Sequence, residues 1–203
     1  MRDELVQARE RYLHRMAVYR SFGYDRLMAV RFIVDRAEPL SEPALDVGTG
    51  KGLLAIELAR RGLNVASVDV SDEEQHLAAL NAELEGVADR IAFHTADARS
   101  IPFPDATFGC AATMDALHHL AEGPAVFLEM VRVVKPGGRI VVAEFSAEGF
   151  ALVERVHQSE GRHHERGAVT MEAAREWFLG RGLRLETTSD GHLHTVVVFL
   201  RAV

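Results

Sequence analysis

Cysteine is almost missing from this chain. Cys110 is the only one in 203 residues, so no disulfide can form within it, and its apolar setting between Phe108 and Met114 marks a buried, inert thiol rather than a reactive one. Long apolar runs are missing as well; none approaches the ~20 residues that a membrane-spanning helix needs. The N-terminus opens with Asp3 and Glu4 where a secretory leader would carry basic residues and an apolar core, so no leader is expected and the expected compartment is the cytoplasm. Clustered Lys and Arg are absent too, and the formal charge is −7. Phosphate neutralisation needs such clusters, so nucleic acid is not an expected partner. Arg9, Arg11, Arg15 and Arg20 are interleaved with acids and are expected to form a solvated helix face. There is no repeat and no linker. What remains, 48% hydrophobic and 26% charged residues, suits one globular domain with a sizeable core.

Against these absences stands Ala44-Leu-Asp-Val-Gly-Thr-Gly-Lys-Gly52. An apolar strand runs into three glycines on alternate positions, and the amphipathic run Leu53–Arg60 follows at once. This reads as strand, tight turn and helix, with glycines letting the turn's backbone approach a ligand without a Cβ in the way. Dinucleotide-binding loops read Gly-x-Gly-x-x-Gly; here the third glycine comes one residue early and an acid, Asp46, precedes the first. Asn64–Val70 reads as a second buried strand reaching Asp69, about 20 residues past the glycines, where such folds keep an acid for ribose hydroxyls. A carboxylate there can accept from both hydroxyls of one ribose. Ser71-Asp-Glu-Glu74 is a capping box for the next helix, which ends near Gly86. A third strand, Arg90–Thr95, leads into Ala96-Asp97-Ala98, and Val134-Lys-Pro-Gly-Gly-Arg139 precedes the strong strand Ile140–Phe145.

These motifs, in this order, resemble the class I S-adenosylmethionine-dependent methyltransferases. Phe103-Pro-Asp-Ala-Thr-Phe108, Met114-Asp-Ala-Leu-His-His-Leu120 and Glu129–Gly138 are most similar to the type 11, ubiquinone/menaquinone-biosynthesis subgroup. The resemblance covers approximately residues 44–145 and weakens at both ends, where substrate is chosen. It implies S-adenosylmethionine as cofactor and S-adenosylhomocysteine as product. Held by resemblance are Asp46, Gly48, Thr49, Gly50, Gly52, Asp69, Val70, Asp97, Ala98 and Met114, with Asp97 on the adenine amino group and the following backbone amide on the ring. The cofactor has no phosphate, and its cationic ammonium and sulfonium groups tolerate the nearby Asp46. The resemblance also implies a seven-stranded sheet of order 3-2-1-4-5-7-6. The subgroup methylates carbon, oxygen, nitrogen and sulfur in unrelated small molecules, so it names no acceptor. No Asn-Pro-Pro-Tyr-like motif follows strand four, which counts against amino-methylation of DNA or protein glutamine.

Alternating strands and helices through Phe145 predict a doubly wound, mostly parallel α/β sheet with helices on both faces. Residues 1–40 are expected as an N-terminal helical cap, 44–145 as the cofactor core, and 146–203 as a substrate-side segment with a last helix and an antiparallel hairpin. In the cap, Leu5, Ala8, Tyr12, Met16 and Tyr19 recur at helical steps, and Arg26–Ala37 resumes with Leu27, Val30 and Val34; core packing explains that periodicity as well as a lid does. Ser146–Val169 is polar and rich in histidine and is expected as a loop that closes over the site, followed by a helix near Thr170–Gly180. Leu183–Thr188 and Leu193–Arg201 are expected to pair around a turn at Ser189-Asp-Gly191. Ligands in open α/β sheets bind where strand order reverses, which predicts that Gly48–Gly52 faces Met114–His119.

Histidine supplies the candidate chemistry. His119 first, then His118, lie just past strand four and can position or deprotonate an acceptor with a pKa of about 6.5, or serve only to stabilise the loop. His157, His163 and His164 follow in the substrate-side segment, while His192 and His194 share a face of the last strand by period two. No Cys partner and no regular ligand spacing accompany them, so no metal is expected. Glu144 is a candidate for acceptor binding, a base, or a satisfied strand-end acid. Two functions follow: a small-molecule methyltransferase working by in-line transfer, and a cofactor-binding sensor or scaffold of the same fold without transfer. A nicotinamide-dependent oxidoreductase is a distant third on the glycine spacing. Monomer and homodimer both remain open.

Overall fold

In the computed structural model, residues 2–161 and 167–202 are described. Seven strands form one sheet in the order β3-β2-β1-β4-β5-β7-β6. They are β1 (Ala44–Val47), β2 (Val65–Asp69), β3 (Ile91–Thr95), β4 (Phe108–Met114), β5 (Val134–Phe145), β6 (Arg184–Gly191) and β7 (His194–Leu200). β3, β2, β1, β4 and β5 run parallel; β7 is antiparallel to β5, and β6 to β7. The helices are α1 (Arg2–Ser21), α2 (Arg26–Ala37), α3 (Leu53–Arg60), α4 (Asp72–Leu84), α5 (Gly123–Val133), α6 (Ala147–Ser159) and α7 (Met171–Gly180).

The central strands are buried on both faces because successive side chains point to opposite sides and each side is covered by helices. Ala44, Cys110, Ala112, Val141, Ala143, Val196 and Val198 share a core with α2 and α3 through Ile33, Val34, Leu54 and Leu58. Their strand neighbours Leu45, Ala111, Ile140, Val142, Val197 and Phe199 join the opposite core with Phe127 of α5 and Phe178 of α7. A third, smaller cluster joins Tyr19, Tyr24 and Ala29 to Leu152, Val153 and Val156 of α6. That cluster seats α1 and α6 together above one end of the sheet. The periodicity of α1 is accounted for by burial: Ala8, Met16 and Tyr19 are all below 9% exposed.

Three expectations are corrected. The segment read as a loop from Ser146 contains α6, which starts on Ser146 as N-cap, its hydroxyl accepting from the Gly149 N–H at 3.2 Å. The apolar stripe Leu152, Val153 and Val156 was legible at helical spacing but was masked by the polar residues around it. Second, the hairpin turn lies at His192-Leu193, both with positive φ of 48° and 68°, so β6 continues through Gly191. Positive φ at both central residues is what a tight turn between twisted strands requires. The Asp-Gly pair is instead inside the ladder, opposite Thr195 and His194, and the ring of Phe32, 2.8 Å from where a Cβ would stand, explains the glycine at 191. His192 and His194 consequently share no strand face. Third, Val134–Arg139 is not a loop ahead of β5 but its opening, with a bulge where the register to β4 shifts between Phe108 and Cys110.

Candidate active site

Between β1 and β4 the strand order reverses, and the connections leave the sheet toward opposite faces. A cavity of about 780 Å³ opens there, at the C-terminal ends of the strands. The β1–α3 turn forms its floor. Gly48 has φ +84°, and a Cβ on it would lie 2.8 Å from Cβ of Ala116, so the turn after β4 leans directly on this glycine. Gly52, with φ +85°, has its open side 3.1 Å from Cβ of Ala78 and serves the contact of α3 with α4. The cavity wall takes in Gly48, Thr49 and Gly50 but neither Gly52 nor Asp46.

Asp46 stands behind the wall. It is 1% exposed, and the Ser67 hydroxyl donates to its Oδ2 at 2.7 Å, with Thr49 Oγ1 in turn 2.6 Å from Ser67 Oγ. Oδ1 is buried without a hydrogen-bond partner. Burial pushes the carboxyl up to about 7, against the Ser67 hydrogen bond and with a smaller contribution from Asp69.

One end of the cavity is built by the ends of β1 and β2 with Asp69 at its centre. Asp69 Oδ2 accepts from the Gly50 N–H and Oδ1 from the Ser71 N–H, each at 2.9 Å. A carboxylate offers about four lone-pair sites, so these two bonds orient the group and leave acceptor capacity facing outward. Val70 beside it is 76% exposed, a large apolar residue left uncovered on the cavity wall. Asp97 and Ala98 line the same end. The guanidinium of Arg99 chelates Asp97 at 2.7–3.1 Å, holds its carboxyl down at about 2, and reaches Glu122 at 2.5 Å.

The other end is built by the turn Met114–His119 together with α1, α2 and α6. His118 is buried; its Nδ1 lies 2.8 Å from Glu144 Oε2, and its backbone N–H donates to the same oxygen at 3.2 Å. Glu144 Oε1 accepts from the Phe145 N–H. His119 stands exposed at the cavity mouth with its ring centroid 4.0 Å from that of His118. Partial desolvation and the adjacent His118 lower its pKa below the ordinary histidine value. The Gly167 N–H donates to the His118 carbonyl at 2.7 Å, and His157 of α6 completes this side. His163 and His164 lie outside the described residues.

Several wall residues were not expected. Arg15 is not solvated as supposed: it is 24% exposed, pairs with Glu160 at 2.5 and 2.7 Å, and donates to the Tyr19 hydroxyl. The spacing Tyr12-x-x-Arg15-x-x-x-Tyr19 already placed it on the buried stripe. Arg26 also lines the cavity, with its guanidinium 5.0 Å from the Tyr19 ring. Lys51 pairs with Glu74, Arg15 with Glu160, and Arg99 with Asp97. Arg26 has no carboxylate in ion-pair range among the described residues, and its Nε is buried without a hydrogen-bond partner. Asp115, within the segment expected to face the glycines, and Tyr19, from the helical cap, also line the cavity. Among the described residues, no group of three or more His, Cys, Asp or Glu could hold a metal ion, and no helix is long and apolar enough to cross a membrane.

Comparison with known proteins agrees with this geometry. Residues 45–142 match the family described as "Methyltransferase domain". The demethylmenaquinone methyltransferase of Thermus thermophilus is 34% identical over 142 residues, covering 68% of this chain and 64% of that protein. A C-methyltransferase of ubiquinone/menaquinone biosynthesis from Geotalea daltonii is 33% identical over 141 residues, covering 68% and 60%. Among the first curated relatives the chain spans 38% to 60% of their length. In fold, the PH0226 protein of Pyrococcus horikoshii superposes with a TM-score of 0.73 at 19% identity over 90% of this chain and 91% of that one.

The state of Asp46 has a measurable consequence. An acid whose folded pKa is raised from 3.8 to about 7 binds its proton more tightly when folded, so the protein loses stability as pH rises between those values. The thermal midpoint should therefore fall from pH 5 to pH 8 by more in the unmodified protein than in Asp46→Asn. Parallel pH profiles for the two would show that Asp46 is ionised in the fold throughout.

Proposed function

We propose that this chain, whose residues 45–142 match the family described as "Methyltransferase domain", is a class I, type 11 methyltransferase that binds S-adenosylmethionine in this cavity and transfers the methyl group in line to a small-molecule acceptor. The observation that carries this reading is one continuous cavity with Gly50, Asp69 and Val70 at one end and His118 and His119 at the other. The cofactor supplies a methyl group on a sulfonium that leaves as a neutral thioether. Asp69 accepts from the ribose hydroxyls with the capacity its two backbone bonds leave, and Val70 covers the adenine. Ala98 offers its N–H to the ring, and Asp97 takes the amino group in competition with Arg99. Gly48, Thr49 and Met114 flank the methionyl end, with Asp46 behind them.

Charge pairing adds one assignment. The methionyl carboxylate needs a cation, and of the lining arginines and Lys51, Arg26 is the one whose charge no carboxylate answers among the described residues. The acceptor then lies toward His118, His119, Phe145 and His157. Nδ1 of His118 donates to Glu144, which leaves Nε2 as the basic nitrogen of the neutral ring. His119, its pKa lowered, is neutral at neutral pH and is the first candidate to take a proton from a hydroxyl or acidic carbon, with His118 the second. Proximity and orientation supply the rest of the rate. The acidic balance favours small-molecule over nucleic-acid partners, and the lone buried cysteine suits the cytoplasm.

Two experiments test this. In calorimetry, Arg26→Ala should weaken S-adenosylhomocysteine by roughly 10- to 100-fold, the worth of a charged hydrogen bond, yet leave 5′-methylthioadenosine, which has no carboxylate, unchanged. Equal losses for both ligands would remove Arg26 from the carboxylate site. Labelled S-adenosylmethionine screened against a metabolite extract identifies the acceptor. If that acceptor gives up a proton, His119→Ala should lower turnover by approximately 10²–10⁴ with cofactor affinity kept. Full turnover in both His119→Ala and His118→Ala would leave orientation as the mechanism, and cofactor binding without transfer would assign the chain to the sensor class.

A further inference from the structure

Behind the acceptor side of the cavity lie two buried histidine–carboxylate pairs of opposite arrangement. In the first, the loop supplies the histidine and the sheet the acid: His118 to Glu144 of β5. In the second, the loop supplies the acid and the sheet the histidine. Nε2 of His194, on β7 and 0% exposed, lies 2.8 Å from Oδ1 of Asp115. Nδ1 of the same ring lies 2.9 Å from the carbonyl oxygen of His192. A carbonyl oxygen only accepts, and so does an ionised carboxylate. With Asp115 as the carboxylate, both ring nitrogens carry protons and this buried ring is an imidazolium set against Asp115.

We propose that His194 is a positioning residue for the transfer site: its second ring proton holds Asp115, and through it the Asp115–His119 wall, against the glycine turn. The part of this that concerns ligand affinity rests on the cofactor reading above. Asp115 has φ +55°, a left-handed conformation that is unfavourable for an L-residue and is offset here by the contacts that hold it. Its N–H donates to the Ala143 carbonyl at 3.1 Å, and its carboxylate is held by His194. The next residue is Ala116, whose Cβ stands 2.8 Å from where a Gly48 Cβ would be, so displacement of Asp115 moves the surface that faces the glycine turn. Asp115 itself lines the cavity.

The groups facing His194 are few. Asp115 comes from the turn after β4, Glu144 from β5, the Tyr24 ring from the turn before α2 at 5.9 Å, and the Phe145 ring from β5 at 4.7 Å. Glu144 is already engaged by His118 and the Phe145 N–H. Burial opposes the charge on His194, but the Asp115 carboxylate, its hydrogen bond and the His192 carbonyl outweigh that and raise the pKa above the ordinary histidine value. A base with a raised folded pKa contributes its full stability below the unfolded value and loses it as pH rises through the folded one. The hold on the wall is therefore lost as pH rises through the His194 midpoint.

The test uses the whole chain labelled with ¹⁵N. Long-range histidine spectra should show both His194 nitrogens protonated at pH 7, and the amide signals of Asp115–His119 should titrate with the same midpoint as the ring. In His194→Gln, whose amide still donates but cannot titrate, that pH-dependent movement should vanish; Asp115→Asn should lower the His194 midpoint while the fold is kept. S-adenosylhomocysteine affinity should fall by about tenfold or more above the His194 midpoint in the unmodified protein and stay level in His194→Gln. A single ring proton on His194 at pH 7, or loop amides that ignore its titration, would overturn the proposal. Loop amides that follow the ring in a chain that binds no S-adenosylhomocysteine at any pH would uphold the positioning role and defeat the cofactor reading instead.

Discussion

Where β1 and β4 lie side by side, one chain segment turns toward α3 and the other toward the opposite face, and no backbone fills the space between them. Two turns must approach each other across that gap closely enough to make a floor without closing it. Gly48 sets the approach distance, since the Ala116 methyl occupies the space a side chain there would need. The cavity, its Asp69 end and its histidine end all follow from this one contact. The rest of the structure holds the two turns in place: Asp69 fastens the first through the Gly50 N–H, and the two histidine–carboxylate pairs fasten the second from behind.

The same small volume keeps carboxyl groups in different states. Asp97, exposed and chelated by Arg99, stays ionised to about pH 2, whereas Asp46, buried with one oxygen unpartnered, keeps its proton to about 7. Solvent and partners decide the difference. Cations show a parallel division. Among the described residues, three of the four long cationic side chains on the wall are answered by carboxylates, and Arg26 is left over. That remaining cation is the basis on which the proposed cofactor's carboxylate is assigned to Arg26.

Most of the cofactor end was legible in the sequence because it is local: strand, glycines, helix and the acid at the end of the next strand lie within one short stretch, from Ala44 to Asp69. The sheet order was legible through family resemblance and is the order observed. What escaped depends on register between distant segments. His194 and Asp115 are 79 residues apart and meet only because β7 pairs antiparallel to β5, placing His194 opposite Phe145 and beside the end of β4. Nothing in the local pattern of β7 marks that histidine as charged. Helix α6 escaped for a different reason. Its apolar stripe is narrow and its other residues are polar, so composition outweighed periodicity, although Ser146 was in place as a cap. Arg15 escaped because a charged residue was assigned to solvent by type, when its position between Tyr12 and Tyr19 assigned it to the buried face.

The central claim is that a single cavity spanning the ends of β1 and β4 holds the cofactor with its reactive end toward the Asp115–His119 turn. A crystal structure of the whole chain with S-adenosylhomocysteine tests it most directly. The account predicts the ribose hydroxyls on Asp69, the adenine over Val70, and the sulfur directed at the wall formed by Asp115, His118 and His119. The ligand bound elsewhere, or reversed with its adenine against the histidines, would contradict it.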